Sequence, residues 1–258
     1  MPAALNLIAH PPPPRSPPPP PLFGPQVEAY LRLTRIPFTV IHGPATGPYG
    51  KAPFIELNGA LHADSSTIVD VLAAHFGRDL NAGLTAQQRA LGHALQRMVE
   101  ESAYFHLVYS RWEDDDGWAS TMPAYFGRPG ALTRAVLNHV VRPRFRRQCA
   151  AQGTGRLPRA VVVDCFGKDM AALSECLGED GSFLLGTDAP TAVDVAAFGL
   201  LDSLLNTGIA TCLDAKLAGF PRLAAYTRRM QQLVLAPPAA AAASKAGDGA
   251  AEAVALHH

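Results

Sequence analysis

The sequence predicts a small open α/β sheet followed by an all-helical domain. Three observations carry this reading. Residues 1–77 run strand, helix, strand, hairpin, helix; residues 85–235 repeat apolar positions only at helical spacing; and within that second stretch one capped helix is apolar on every side.

The sheet domain is read element by element. Residues 5–9 form a short apolar strand. Residues 10–21 hold nine prolines among twelve positions, so they form neither helix nor ladder strand and read as a stiff loop. Residues 23–36 follow as a helix, with Pro25 near its first turn and Val27, Tyr30, Leu31 and Thr34 on one face. Pro37 ends it, and residues 38–42 alternate as a strand. After a connection rich in Gly and Pro, residues 53–57 and 60–62 flank Asn58-Gly59, a two-residue hairpin signal. Residues 65–76 close the domain as a helix stopped by Gly77, giving about four strands in all. Residues 78–84 read as a polar linker.

The helical domain opens at Thr85, which with Gln88 makes a capping box for a long helix running towards Trp112. Asp114, Asp115 and Asp116 read as a solvated loop. Residues 132–149 are helical and interrupted at Pro143, with Arg142, Arg144, Arg146 and Arg147 as a solvated face, and residues 158–177 form a further helix. Thr191 and Asp194 make a second capping box, with each side chain answering the other's backbone amide. The helix they start is so apolar that Asp194 must be buried, which is tolerable only with hydrogen bonds and the positive helix end beside it. Residues 221–233 end the fold, and residues 236–258 read as a disordered Ala/Gly-rich tail.

The totals set bounds. Lys plus Arg and Asp plus Glu each number 22, so nothing in the overall charge recommends nucleic acid or an anionic membrane. No run of about 18 apolar residues is present to span a bilayer. With no leader-like segment, a cytoplasmic protein is expected. Cys149, Cys165, Cys176 and Cys212 lack metal-ligand or redox spacing and read as small buried hydrophobes, and no metal is expected.

Two places could carry chemistry. Pro53 begins a strand after Lys51-Ala52, and Asp64-Ser65 stands at a helix start, where free amides, the helix dipole and a hydroxyl favour an anionic group. Taken alone, Pro53 reads as an edge-strand start and Asp64-Ser65 as a plain N-cap; both together, in this order and at this separation, favour a ligand pocket. Tyr104, Tyr109, Arg111 and Trp112 lie near the end of the long helix, where they form either a second-substrate wall or ordinary packing.

The strand-helix-strand-hairpin-helix order resembles the thioredoxin-like first domain of glutathione transferases, and the boxed Asp194 after Leu184-Leu185-Gly186 resembles their folding-nucleus helix. The chain looks most like the failed axon connections and metaxin-like branch of that superfamily. The resemblance rests on residues 27–32, Ile36-Pro37, residues 50–59, Ala63-Asp64-Ser65, residues 76–80, 109–112 and 173–178, the Thr191 motif and residues 221–226. It implies a cis bond before Pro53, and glutathione held by Lys51, Ala52, Pro53, Asp64 and Ser65. It also implies an apolar electrophile in the interdomain cleft and a possible homodimer. The resemblance also calls for a thiol-activating donor near the end of the first strand, where Ser16 and Arg15, with His10 just before them, are the polar candidates and Ser16 is the one taken. Relatives often carry Ser-Pro-Phe-Cys where this chain has Pro21-Leu22-Phe23-Gly24, so a Cys or Ser mechanism is not expected at that spot. The alternative implied by the branch is a catalytically silent, metaxin-like binding or scaffolding module.

Overall fold

The computed structural model describes residues 4–9, 25–42, 47–178 and 181–236. The proline tract with Ser16, the residues at 23 and 24 and the tail from 237 lie outside the described residues. Four strands, β1 (Leu5–Ala9), β2 (Thr39–His42), β3 (Phe54–Leu57) and β4 (Ala60–Ala63), form one sheet in the order β2-β1-β3-β4. The β1–β2 pair is parallel and the other two pairs are antiparallel, so Leu7 lies between Val40 and Ile55. The polar residue inside β1, Asn6, donates across the sheet to Glu56 at 3.2 Å. The hairpin turns at Asn58 (φ 51°) and Gly59 (φ 84°), the left-handed pair that Asn-Gly adopts at little cost.

Helix α1 (Pro25–Leu33) packs on α9 (Ala192–Leu205), and α2 (Ser65–Phe76) covers β3 and β4. A Cβ at Gly199 would lie 3.0 Å from the Gln26 backbone nitrogen, so α1 approaches α9 only because that position is glycine. One apolar cluster joins Leu7, Tyr30, Leu31 and Ile55 to Phe166, Met170, Phe198 and Leu201, fusing the sheet domain to the helices.

The Thr85 capping box is present and starts α3 (Ala86–Arg97). The long helix then continues through a π-type stretch (Met98–Ala103), α4 (Tyr104–Val108) and a second π-type stretch (Tyr109–Glu113). Three local expectations are corrected here. Asp114 is buried rather than loop-like; it caps α5 (Asp115–Phe126), accepting from the Gly117 amide at 3.2 Å and facing Arg159 at 3.3 Å. Pro143 does not interrupt its helix. α6 (Ala131–Val136) widens into a π-type stretch (Leu137–Val141) just before α7 (Arg142–Gln152), which places the proline in a first turn that needs no amide donor. Nor is Arg142 solvated: 14% exposed, it bonds the carbonyls of Trp112 and Glu113 at 2.8 and 3.0 Å and pairs with Asp115 at 2.7 Å. Helices α8 (Arg159–Cys176), α9, α10 (Asp214–Leu217) and α11 (Pro221–Leu235) complete the fold. Among the described residues no helix is long and apolar enough to cross a membrane.

Candidate functional site

The antiparallel register pairs Phe54 with Ala63, so the residues just outside the hairpin, Pro53 and Asp64, come to the same end of the sheet. There the Ala52–Pro53 bond is cis, and the Lys51 ammonium donates to the Asp64 carboxylate. Asp64 begins α2 with φ 77° and ψ 118°, a conformation that residues with a Cβ rarely take; such outliers persist only where the surroundings hold them. What holds this one is the Lys51 contact on Oδ2 and the Thr67 amide and hydroxyl, each 3.5 Å from Oδ1. Partial burial works to raise the Asp64 carboxyl, but the Lys51 ammonium and the Thr67 donors overcome it and leave the group below its ordinary range.

The Ile68 amide returns to the Asp64 carbonyl at 2.8 Å, so regular helix bonding starts there. Among the described residues nothing accepts from the amides of Ser65 and Ser66 or from the half-buried Ser65 hydroxyl. With Asp64 neutralised by Lys51, this helix start offers three donors and a positive dipole end.

Glu100, in the first π-type stretch, supports the site from below and has no signature in the hydrophobic period. Its carboxylate accepts from the Ser66 hydroxyl at 2.9 and 3.0 Å and from the Gln26 and Gln96 amides at 3.1 Å each. The first turns of α1 and α2 are thus tied to the helical domain by one group. Ser66 also edges a polar cleft of about 350 Å³ between α2 and α3, lined among others by Asp70, Arg89 and His93.

The second group of candidates does not converge. Tyr109 and Trp112 belong to a packing cluster with Val108, Cys149 and Val162, in which Trp112 stacks on Phe145 at 3.9 Å. Arg111 turns the other way, 5% exposed. Its Nη1 donates to the Tyr125 hydroxyl at 2.9 Å, and its Nη2 donates to the Ser203 carbonyl and to Thr207 Oγ1, where it caps the end of α9. Its Nε has no partner, and burial lowers its pKa. Tyr104 stands 42% exposed beside Phe105.

Asp194 is fully buried and bonded throughout. Its carboxylate accepts from the Thr191 amide and hydroxyl at 2.8 and 2.7 Å, the Leu184 amide at 3.0 Å and the Tyr226 hydroxyl at 3.0 Å. Burial raises its pKa against those donors, and the loss of solvent with the adjacent carboxylate carries Tyr226 well above its usual value. Burial also pushes the Cys149 thiol up to about 12, removing it as a nucleophile at neutral pH.

Comparison with known proteins now bears on this arrangement. The glutathione S-transferase N-terminal domain model matches residues 23–117, and the glutathione S-transferase C-terminal domain model matches residues 166–230. The isoprene-epoxide glutathione S-transferase of Rhodococcus sp. (strain AD45) is 35% identical over 159 residues, 60% of this chain and 65% of that one. Failed axon connections of Drosophila melanogaster is 32% identical over 223 residues, 80% of this chain and 52% of that one. The chain therefore matches less than two thirds of either relative's length. The structure of the beta-etherase LigF from Sphingobium sp. strain SYK-6 aligns with a TM-score of 0.60 at 18% identity, covering 91% of this chain and 96% of that one, which speaks to the fold. Two family models lying in the right order over a sheet domain and its helical partner show that the chain belongs to the glutathione transferase superfamily.

Proposed function

We propose that this protein binds glutathione at the start of α2 and presents its thiol to a small apolar electrophile in the cleft between the sheet domain (residues 1–77) and the helical domain (residues 85–235). The observation that carries the reading is the Asp64 conformation, held by Lys51, beside a Ser65 whose amide and hydroxyl have no partner among the described residues. A γ-glutamyl carboxylate fits those donors, and the backbone of the exposed Ala52 is open to the cysteinyl amide. Ser16 is the thiol-activating candidate and an epoxide is the first electrophile to test, following the name of the Rhodococcus relative. Tyr104, which is exposed, would stand at the second-substrate wall, with Arg111, Tyr109 and Trp112 packed behind it. The protein would work in the cytoplasm, as a homodimer and without a metal.

The test is retention of the full chain on immobilised glutathione, with release by the Asp64→Ala substitution. A folded protein that is not retained would remove the proposal.

A second reading has one observation in its favour: Pro21-Leu22-Phe23-Gly24 lacks the Cys of its relatives, as a silent scaffold would. Retention on glutathione without turnover of any epoxide or aromatic electrophile would select it.

A further inference from the structure

The overall charge of zero conceals a local block. Residues 127–152 contain Arg128, Arg134, Arg142, Arg144, Arg146 and Arg147 and no Asp or Glu. Arg142 and Arg146 are consumed by Asp115 and Glu113. Arg128, Arg134 and Arg144 have no acidic partner among the described residues, and the Arg147 contact is to the Pro143 carbonyl in its own helix.

The same helix turns an apolar stripe outward. Leu132, Val136 and Val140, four residues apart and therefore on one face, are 81%, 46% and 60% exposed, and Arg144 continues the series. No residue of α6 is buried. Residues 118–165 fall between the two matched domains, so the shared superfamily core does not call for this face.

From this geometry we infer that the helix running through residues 131–152 is a peripheral docking surface for an anionic lipid bilayer. An exposed apolar stripe set among unpaired arginines is what lets a helix lie in the headgroup region, with side-chain burial and anionic headgroups acting together. Single-stranded nucleic acid fits less well, because it wants exposed aromatic platforms; Phe145, the aromatic of this stretch, is stacked on Trp112 inside the fold. A second copy fits less well too, since a two-fold contact would set the arginines of one patch against those of the other with no acid to receive them. The Arg144 guanidinium lies 4.0 Å from where a Cβ on Gly50 would stand, so the surface adjoins the loop that carries Lys51.

The experiment is co-sedimentation of the full chain with phosphatidylcholine vesicles and with vesicles containing about one third phosphatidylserine. Partition should favour the anionic vesicles by about tenfold and weaken as salt rises past about 0.15 M. The double substitution Leu132→Ser with Val140→Ser, at exposed positions that carry no core packing, should lower partition about tenfold. Replacing Arg128, Arg134 and Arg144 with Gln should do the same with the melting curve unchanged. Absence of binding to anionic vesicles would overturn the inference, as would equal binding by the Leu132/Val140 variant. So would tighter binding of a single-stranded oligonucleotide, or a doubled mass in solution that the Leu132/Val140 variant abolishes.

Discussion

The start of α9 and the start of α2 are made from the same parts, a short polar residue and an aspartate at the mouth of a helix, yet they differ in what is left unsatisfied. At α9, Asp194 is fully buried and four donors from Thr191, Leu184 and Tyr226 converge on it, so the site is closed. At α2, Asp64 is held by Lys51 in a backbone conformation that costs energy, while the Ser65 donors face no acceptor among the described residues. A closed box stabilises the fold; an open one, kept open by a neighbouring cation, has capacity for a ligand. The free donors, more than the motif itself, set the proposed binding site at α2 apart from the structural helix start at α9.

The largest effect expected from this contrast is at α9. Asp194→Ala would strand four donors in the core and cost about 3–5 kcal/mol, lowering the melting temperature by about 10 °C or preventing folding. Glu100→Ala should come next, costing about 1–2 kcal/mol by releasing Ser66 and Gln26, and should weaken glutathione binding as the α2 start loosens. Tyr226→Phe removes one hydroxyl, shared between the Asp194 carbonyl at 3.2 Å and its Oδ1 at 3.0 Å, and should cost about 1 kcal/mol with binding unchanged, which thermal melts and a binding titration would check together.

At α2 the stability effect should be small. Asp64→Gly relieves the backbone while deleting a half-exposed ion pair worth about 1 kcal/mol or less, so the melting temperature should hold or rise while glutathione retention falls. The two aspartates should also titrate in opposite senses. Asp64, held below its ordinary 3.8, contributes stability at pH values above 3.8 that is lost as pH falls through its lowered value. Asp194, raised by burial, holds its proton more tightly folded than unfolded, so its contribution declines as pH rises from 3.8 through its raised value. Melting curves across acid pH for Asp64→Asn and Asp194→Asn should each flatten one of these slopes.

Much of the fold was readable because its signals are local. Asn58-Gly59 names its turn, Gly77 ends α2 in the left-handed conformation, and Thr85 and Thr191 announce their helices. The missing element, α5, has little local signal: it buries Gly117, Trp118 and Thr121 rather than an aliphatic stripe, and it contains Pro123. The two π-type stretches after Arg97 shift the helical period, so Tyr109 and Arg111 face different neighbours than a constant spacing assigns them. The partners of the key groups were the least readable, because Tyr226 lies 32 residues from Asp194 and Glu100 lies 34 from Ser66. Only the folded chain brings them together.

The most direct test of an open box at α2 is a calorimetric titration of glutathione into the full chain, its Asp64→Ala and Ser65→Ala variants and Tyr226→Phe as the structural control. Binding should be saturable in the parent and in Tyr226→Phe, and at least about tenfold weaker in both α2 variants, with Ser65→Ala melting as the parent does and Asp64→Ala still folding cooperatively but less stable by about 1 kcal/mol for its lost cap. Equal binding by all four proteins, or none by a folded parent, would contradict the account.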